Sequence, residues 1–280
     1  MTERVESLND LADRFDAFLI DQFGVLFSGF GAYPFAPKAL AELARRGKTN
    51  LPLSNSGKRS DLNNARLVGR GFSRESFVTV LSSGETAYTE IARRIGKDLA
   101  PGAGIWVHTT GDAMASPIAG LDLTPCSEPS EAEILLLAGA RPWSLSLEAY
   151  AALLRPAAEA KIPCICSNPD ITMMVGPDLM FGTGRVARLY EELGGKVEWF
   201  GKPYPAIYAE ALRRLAGVDR RRILCIGDSP AHDILGGKRA GLATALVRTG
   251  IHAAESEAEV LARCEALNAP PDFLLPRMDF

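Results

Sequence analysis

Apolar runs that stop abruptly at small polar clusters most narrow what this chain can fold into. Phe15 to Ile20 ends at Asp21-Gln22-Phe23-Gly24-Val25, and Asn50 to Leu53 ends at Ser54-Asn55-Ser56. Arg222 to Ile226 runs into Gly227-Asp228 and on through Ser229-Pro230-Ala231-His232 to Asp233. Gly201-Lys202-Pro203 forms a fourth cluster. Helical patterns fall between the runs. Pro37 to Arg46 has proline near its first turn and Gly47 as a stop. Ser60 to Val68, Arg185 to Leu193, Ala206 to Leu215 and Asp233 to Ala240 also read as helices, and Glu255 to Leu267 as a polar-faced one. Leu242 to Val247 is a further strand. Short apolar runs alternating with helices predict an α/β fold with a parallel sheet covered by helices. In an open parallel sheet, ligands bind outside the carboxyl ends of the strands. Side chains from the four clusters can therefore meet in one crevice.

The middle of the chain is a second alternating region. Ser82-x-x-Glu85 resembles a capping box that opens a helix through Ile95. Ile105 to His108, Ile134 to Ala138 and Ile162 to Cys166 read as strands, the last ending at Ser167-Asn168-Pro169-Asp170. Leu147 to Ala160 is an Ala-rich helix that Pro156 is expected to kink or divide. Trp106, Trp143 and Trp199 are expected to pack in the core or the inserted region. His108, His232 and His252 read as structural.

Composition excludes several function classes. The 280 residues are 47% hydrophobic and 23% charged, with a formal net charge of −3. Such a chain can bury a sizeable core and has no global basic field, which argues against nucleic acid as a partner. No stretch has the continuity of a membrane span. The charged segment Met1 to Asp16 lacks the apolar stretch of a signal peptide, so a cytoplasmic location is expected. The five cysteines are scattered without metal-ligand spacing. Cys164 and Cys166 flank Ile165 in an apolar run, so both should sit as buried free thiols on one face of a strand.

The order of the four clusters, above all an apolar strand followed by Gly227-Asp228 and a second Asp at 233, resembles the haloacid dehalogenase (HAD) superfamily. From about Leu19 to Val247 the chain is similar to the type-IIA branch of that superfamily. Gly24-Val25 after the first cluster, the Asn168-Pro169-Asp170 triplet and the long insertion between the second and third clusters carry that similarity. The resemblance implies a Rossmann-like HAD core formed by residues 1–80 and 183–280, and an inserted α/β cap domain over residues 81–182. It implies Mg²⁺ held by Asp21, the backbone carbonyl of Phe23 and Asp228, with Asp233 orienting the site. Asp21 would be the nucleophile, forming an aspartyl-phosphate on a small phosphorylated metabolite. Ser54, the backbone N–H of Asn55, and Lys202 would bind phosphate and stabilise charge on the transferring oxygens. Gly24 would allow a tight turn close to the substrate, and Asn168 and Asp170 would face the substrate. Type-IIA proteins often pair through their caps, so a homodimer of that kind is an expectation.

One position departs from the family pattern. Most phosphatases of this superfamily carry a second Asp two residues after the nucleophile, and here that residue is Phe23. Loss of a general acid–base there is expected to cost about 10²–10⁴-fold. Three readings follow: a phosphatase lacking that acid, a dehalogenase-type hydrolase, or a phospho-ligand-binding protein without turnover.

Overall fold

The computed structural model describes residues 2–111, 116–176 and 178–280. The chain divides into two compact units. The first contains 1–54, 60–81 and 202–280; the second contains 55–59 and 82–201.

The first unit is built on a seven-stranded sheet. Its order is Glu3–Arg4, Phe273–Leu275, Ala243–Val247, Ile223–Gly227, Ala17–Asp21, Thr49–Ser54 and Leu81–Ser82. The pairings between the first six strands are all parallel. Every residue of Ala17–Asp21 and of Ile223–Gly227 is buried, as a parallel sheet covered on both faces requires. Register sets the strand ends side by side: Ile20 is opposite Ile226, and Asp21 is opposite Leu53. Asp21, Ser54 and Asp228 therefore emerge from neighbouring strands at one edge.

Helix Ala36–Arg45 buries Ala36, Ala39, Leu40 and Leu43, one stripe at helical spacing. That stripe joins Phe18, Ile20, Leu224 and Ile226 in one core. On the opposite sheet face, Leu19, Leu51 and Cys225 pack with Ile207, Tyr208 and Ala211 of helix Pro205–Arg214. Helix Glu257–Ala266 opens with a full capping box: Ser256 accepts from the Glu259 N–H and the Glu259 carboxylate accepts from the Ser256 N–H.

The second unit has its own five-stranded sheet, ordered Lys196–Trp199, Pro163–Cys166, Ile134–Leu137, Gly104–His108 and Thr124–Pro125, again with parallel pairings. A hairpin, Thr172–Val175 with Asp178–Phe181, completes it. Helix Thr183–Glu192 and strand Lys196–Trp199 belong here: Val186, Ala187 and Tyr190 share a core with Tyr150, Leu154, Cys164 and Cys166. All five cysteines are free. The α/β class, the mostly parallel sheets and the inserted smaller region agree with the sequence reading.

Two local expectations are corrected and one is narrowed. Helix Leu147–Glu159 runs through Pro156 as one element, with Tyr150, Leu154, Ala157 and Ala158 buried on both sides of it, so the proline does not divide the helix. Only half of the capping box at Ser82 forms. Ser82 Oγ accepts from the Glu85 N–H at 3.0 Å, but the Glu85 carboxylate takes the Arg59 guanidinium, at 2.7 and 3.2 Å. Trp106 is buried and Trp199 packs on the core, whereas Trp143 is 50% exposed. Buried His108 shares a 2.6 Å hydrogen bond with the Tyr150 hydroxyl, which accounts for it structurally.

Among the described residues, no helix is long and apolar enough to cross a membrane. Phe18, within the strand that ends at Asp21, is fully buried in the core. Phe18→Ala is expected to destabilise the fold by about 3–5 kcal/mol, measured as a shift of the urea unfolding midpoint.

Candidate active site

Asp21, Asp228 and Asp233 converge at the sheet edge, each offering a carboxylate oxygen within 4.8 Å of the others. All three are buried, as is Lys202. The Lys202 ammonium lies between two of them, donating to Asp21 Oδ1 and, at 2.7 Å, to Asp233 Oδ1. Two further oxygens are held by the main chain. Asp233 Oδ2 accepts from the Ser229 N–H at 3.2 Å, and Asp228 Oδ2 accepts from the Ile251 N–H at 2.8 Å.

The local chain path explains the convergence. After Gly227-Asp228 the backbone enters a π-helical turn, Pro230–Ile234, which leads into helix Leu235–Arg239. That wide turn brings Asp233 back beneath the strand end. Two glycines let loops press against Asp228. Gly24 has φ +93°, and a Cβ there would lie 2.2 Å from Asp228 Oδ2. Gly250 has φ +80°, and its Cβ would lie 1.9 Å from the same atom. Both need a residue without a side chain, in the left-handed region. The close approach that Gly24 permits is to Asp228. Thr249 Oγ1 ties the loops together by donating to the Gly24 carbonyl at 2.6 Å.

Electrostatics follow from this crowding. Burial pushes the Asp21 carboxyl up to about 7, with Lys202 opposing the rise and Asp233 adding to it. Asp228 is raised well above the ordinary carboxylate range by burial, then by Asp21 and Asp233. Burial works against the charge on Lys202, but Asp21 and Asp233 overcome it and hold the ammonium protonated. Fully ionised, three carboxylates and one ammonium leave two excess negative charges, which one divalent cation matches. The donor set is all oxygen, which suits a hard cation such as magnesium or calcium. The residues present therefore fit a metal ion.

This cluster corrects the expectation of an acid-deficient site with Phe23 in place of a needed Asp. The three-carboxylate set is intact, and it is assembled from two strand ends and a helical turn, not from acids spaced along one loop. Phe23 is a loop residue, 42% exposed, with its ring edge-on to Phe27 at 6.1 Å.

The other residues singled out in the sequence are placed as follows. Ser54 closes its strand in the first unit. Asn55, Asn168 and Asp170 form a group in the second unit: Asn55 Nδ2 donates to Asp170 Oδ1 at 2.8 Å, and the Asp170 N–H donates to Asn168 Oδ1 at 3.2 Å. His232 Nδ1 lies 3.3 Å from Ser229 Oγ, and His252 Nδ1 lies 2.7 Å from Glu255 Oε1. Sequence reasoning missed Thr249-Gly250-Ile251, although it follows the strand Ala243–Val247 as the other clusters follow theirs.

If the close approach of Gly24 to Asp228 shapes the cluster, Gly24→Ala should weaken divalent-cation binding by at least about tenfold. Gly47→Ala is the control, since Gly47 also has positive φ but its Cβ would meet nothing within 4 Å. Calorimetric titration of both variants separates steric intrusion from backbone strain.

Comparison with known proteins agrees with this geometry. Residues 18–113 match the family model for haloacid dehalogenase-like hydrolases, and residues 199–278 match a HAD-hydrolase-like model. Human chronophin is 30% identical over 276 residues, spanning 92% of this chain and 90% of its own. A haloacid dehalogenase-like hydrolase from Brucella suis superposes with a TM-score of 0.82 at 29% identity, covering 98% of this chain and 99% of that one. The glycerol phosphate phosphatase of Mycobacterium tuberculosis in complex with magnesium gives a TM-score of 0.72 at 27% identity, over 94% and 75% of the two chains. With these matches and an intact acidic cluster at the edge of a parallel sheet, the chain belongs to the haloacid dehalogenase-like hydrolases.

Proposed function

We propose that the protein is a Mg²⁺-dependent phosphatase of the type-IIA branch that acts on a small phosphorylated metabolite. The observation that carries this reading is the buried Asp21–Asp228–Asp233 cluster with Lys202 bridging two of its members. The related glycerol phosphate phosphatase, crystallised with magnesium, supports both the metal and the substrate class. Gly24-Val25, Asn168-Pro169-Asp170 and the inserted region support the type-IIA assignment, with the insertion as its cap domain.

Asp21 is the nucleophile in this reading. Lys202 engages Oδ1, which orients the carboxylate and leaves Oδ2 to attack phosphorus. The new O–P bond forms as the ester O–P bond breaks, and the departing oxygen takes the electron pair and then a proton from solvent water. Water then cleaves the aspartyl-phosphate, releasing phosphate and regenerating Asp21. Ser54, the peptide N–H of Asn55, and Lys202 bind the phosphate oxygens. Asn168 and Asp170 contact the rest of the substrate. Mg²⁺, held by Asp21, the backbone carbonyl of Phe23 and Asp228 with Asp233 behind them, would screen repulsion between the carboxylate and the phosphate dianion.

A screen of phosphorylated metabolites, with and without Mg²⁺, tests the proposal. Phosphate release should need Mg²⁺ and fall by at least about 10³-fold in Asp21→Asn. Asp228→Ala should abolish Mg²⁺ binding in calorimetry while the far-ultraviolet circular dichroism is kept. Turnover that persists in Asp21→Asn, or with Mg²⁺ chelated, overturns the assignment.

A further inference from the structure

Of the two loops that close on Asp228, one turns on the least restrained kind of residue. Gly24 has φ +93°, in the left-handed region, and a residue without Cβ has the widest choice of backbone angles. The peptides on either side of it are nevertheless both held. The Gly24 N–H donates to the Phe27 carbonyl at 2.8 Å, within its own loop. The Gly24 carbonyl accepts from Thr249 Oγ1 at 2.6 Å, across 225 positions of the chain. The peptide that carries the Gly24 N–H also carries the Phe23 carbonyl. That peptide is trans, so the carbonyl points the opposite way from the N–H.

Thr249 can act as an anchor because its own segment is held on both sides. Before it, the Arg248 N–H donates to the Leu275 carbonyl at 3.1 Å. After it, the Gly250 N–H is hydrogen-bonded to the hydroxyl of Tyr33, whose ring stacks on Phe35 with centroids 5.5 Å apart. The Ile251 N–H donates to Asp228 Oδ2 at 2.8 Å. The two loops are also in close contact, since a Cβ on Gly250 would lie 2.8 Å from Gly24 Cα. A restrained segment thus grips a permissive glycine through one hydroxyl.

We propose that Thr249 is a positioning residue of the cation site: its hydroxyl fixes the main chain at Gly24 and, through the adjoining peptide, the direction of the Phe23 carbonyl. Thr249 acts through the main chain. The inference rests on the assignment of Asp21, the Phe23 carbonyl and Asp228 to Mg²⁺, and not on turnover. Without the hydroxyl, the buried Gly24 carbonyl loses a partner and the glycine loses a restraint. Part of the binding energy of the cation then goes into ordering the loop.

Calorimetric titration of the full chain with Mg²⁺ tests this. Thr249→Val keeps the shape of the side chain and removes the donor, so it should weaken Mg²⁺ binding by about tenfold. Thr249→Ser keeps the donor and loses the methyl group, and should bind within about twofold of the unaltered protein. A merely structural role would lower the unfolding midpoint and leave the Mg²⁺ affinity of the folded variant unchanged. In a phosphatase assay Thr249→Val should need about tenfold more Mg²⁺ for half-maximal rate, with kcat at saturating Mg²⁺ kept within about twofold. The proposal is overturned if folded Thr249→Val binds Mg²⁺ as tightly as the unaltered protein. It is also overturned if Thr249→Ser loses about tenfold, whether or not Thr249→Val folds. Failure of the unaltered protein to bind Mg²⁺ overturns the metal assignment itself, and this inference with it.

Discussion

Three carboxylates held together away from water are the constraint on which the rest of this structure depends. Like charges at such separations repel strongly at low dielectric, and desolvation adds to the cost. The fold offsets part of that cost with one ammonium and two peptide N–H groups. Lys202 contributes most, because it is buried and engages two of the acids at once. What it leaves is an excess of negative charge in an oxygen-lined site. A divalent cation would relieve that excess, which is why this oxygen donor set suits a hard metal ion.

The surrounding architecture serves this arrangement. A parallel sheet delivers strand ends to one edge, so Asp21 and Asp228 become neighbours through register alone. Asp233 needs a different device, since five residues of ordinary helix would not return it to the same place. The π-helical turn at Pro230–Ile234 supplies the wider path. Gly24 and Gly250 then allow two adjoining loops to close on the same oxygen of Asp228, where any Cβ would collide with its carboxylate. Stability and function are coupled here: the residues that tighten the cluster are also those that restrict what backbone it tolerates.

Much of this was legible in the sequence because each acid or lysine follows an apolar run or marks a loop. Asp21, Lys202, Asp228 and Asp233 could be picked out, and the structure brings them together. Counting acids along the first loop failed, since it took Phe23 as a gap in the site when the carboxylates come from separate elements. The edge strands Glu3–Arg4 and Phe273–Leu275 were not legible. They are two and three residues long, too short for any alternation to register, and they are placed by pairing with each other and with Ala243–Val247. Thr249-Gly250-Ile251 escaped notice for another reason: its contribution is a hydroxyl, a missing side chain and a peptide N–H. None of these carries a charge that a reader of sequence would weigh.

That overlooked segment also separates two opposite charge imbalances on one sheet edge. On one side the acidic cluster holds excess negative charge; on the other Arg248 is a cation without an ion-pair partner among the described residues. Three residues lie between Arg248 and His252, yet the two imbalances do not neutralise each other. Asp228 takes the Ile251 N–H, while Arg248 turns its Nη2 to the Glu255 carbonyl. Were Arg248 to pair with Asp228, the cluster would lose the negative charge that suits it to a metal. Keeping the arginine turned away leaves the carboxylates of the cluster to Lys202 and to the peptide N–H groups of Ser229 and Ile251.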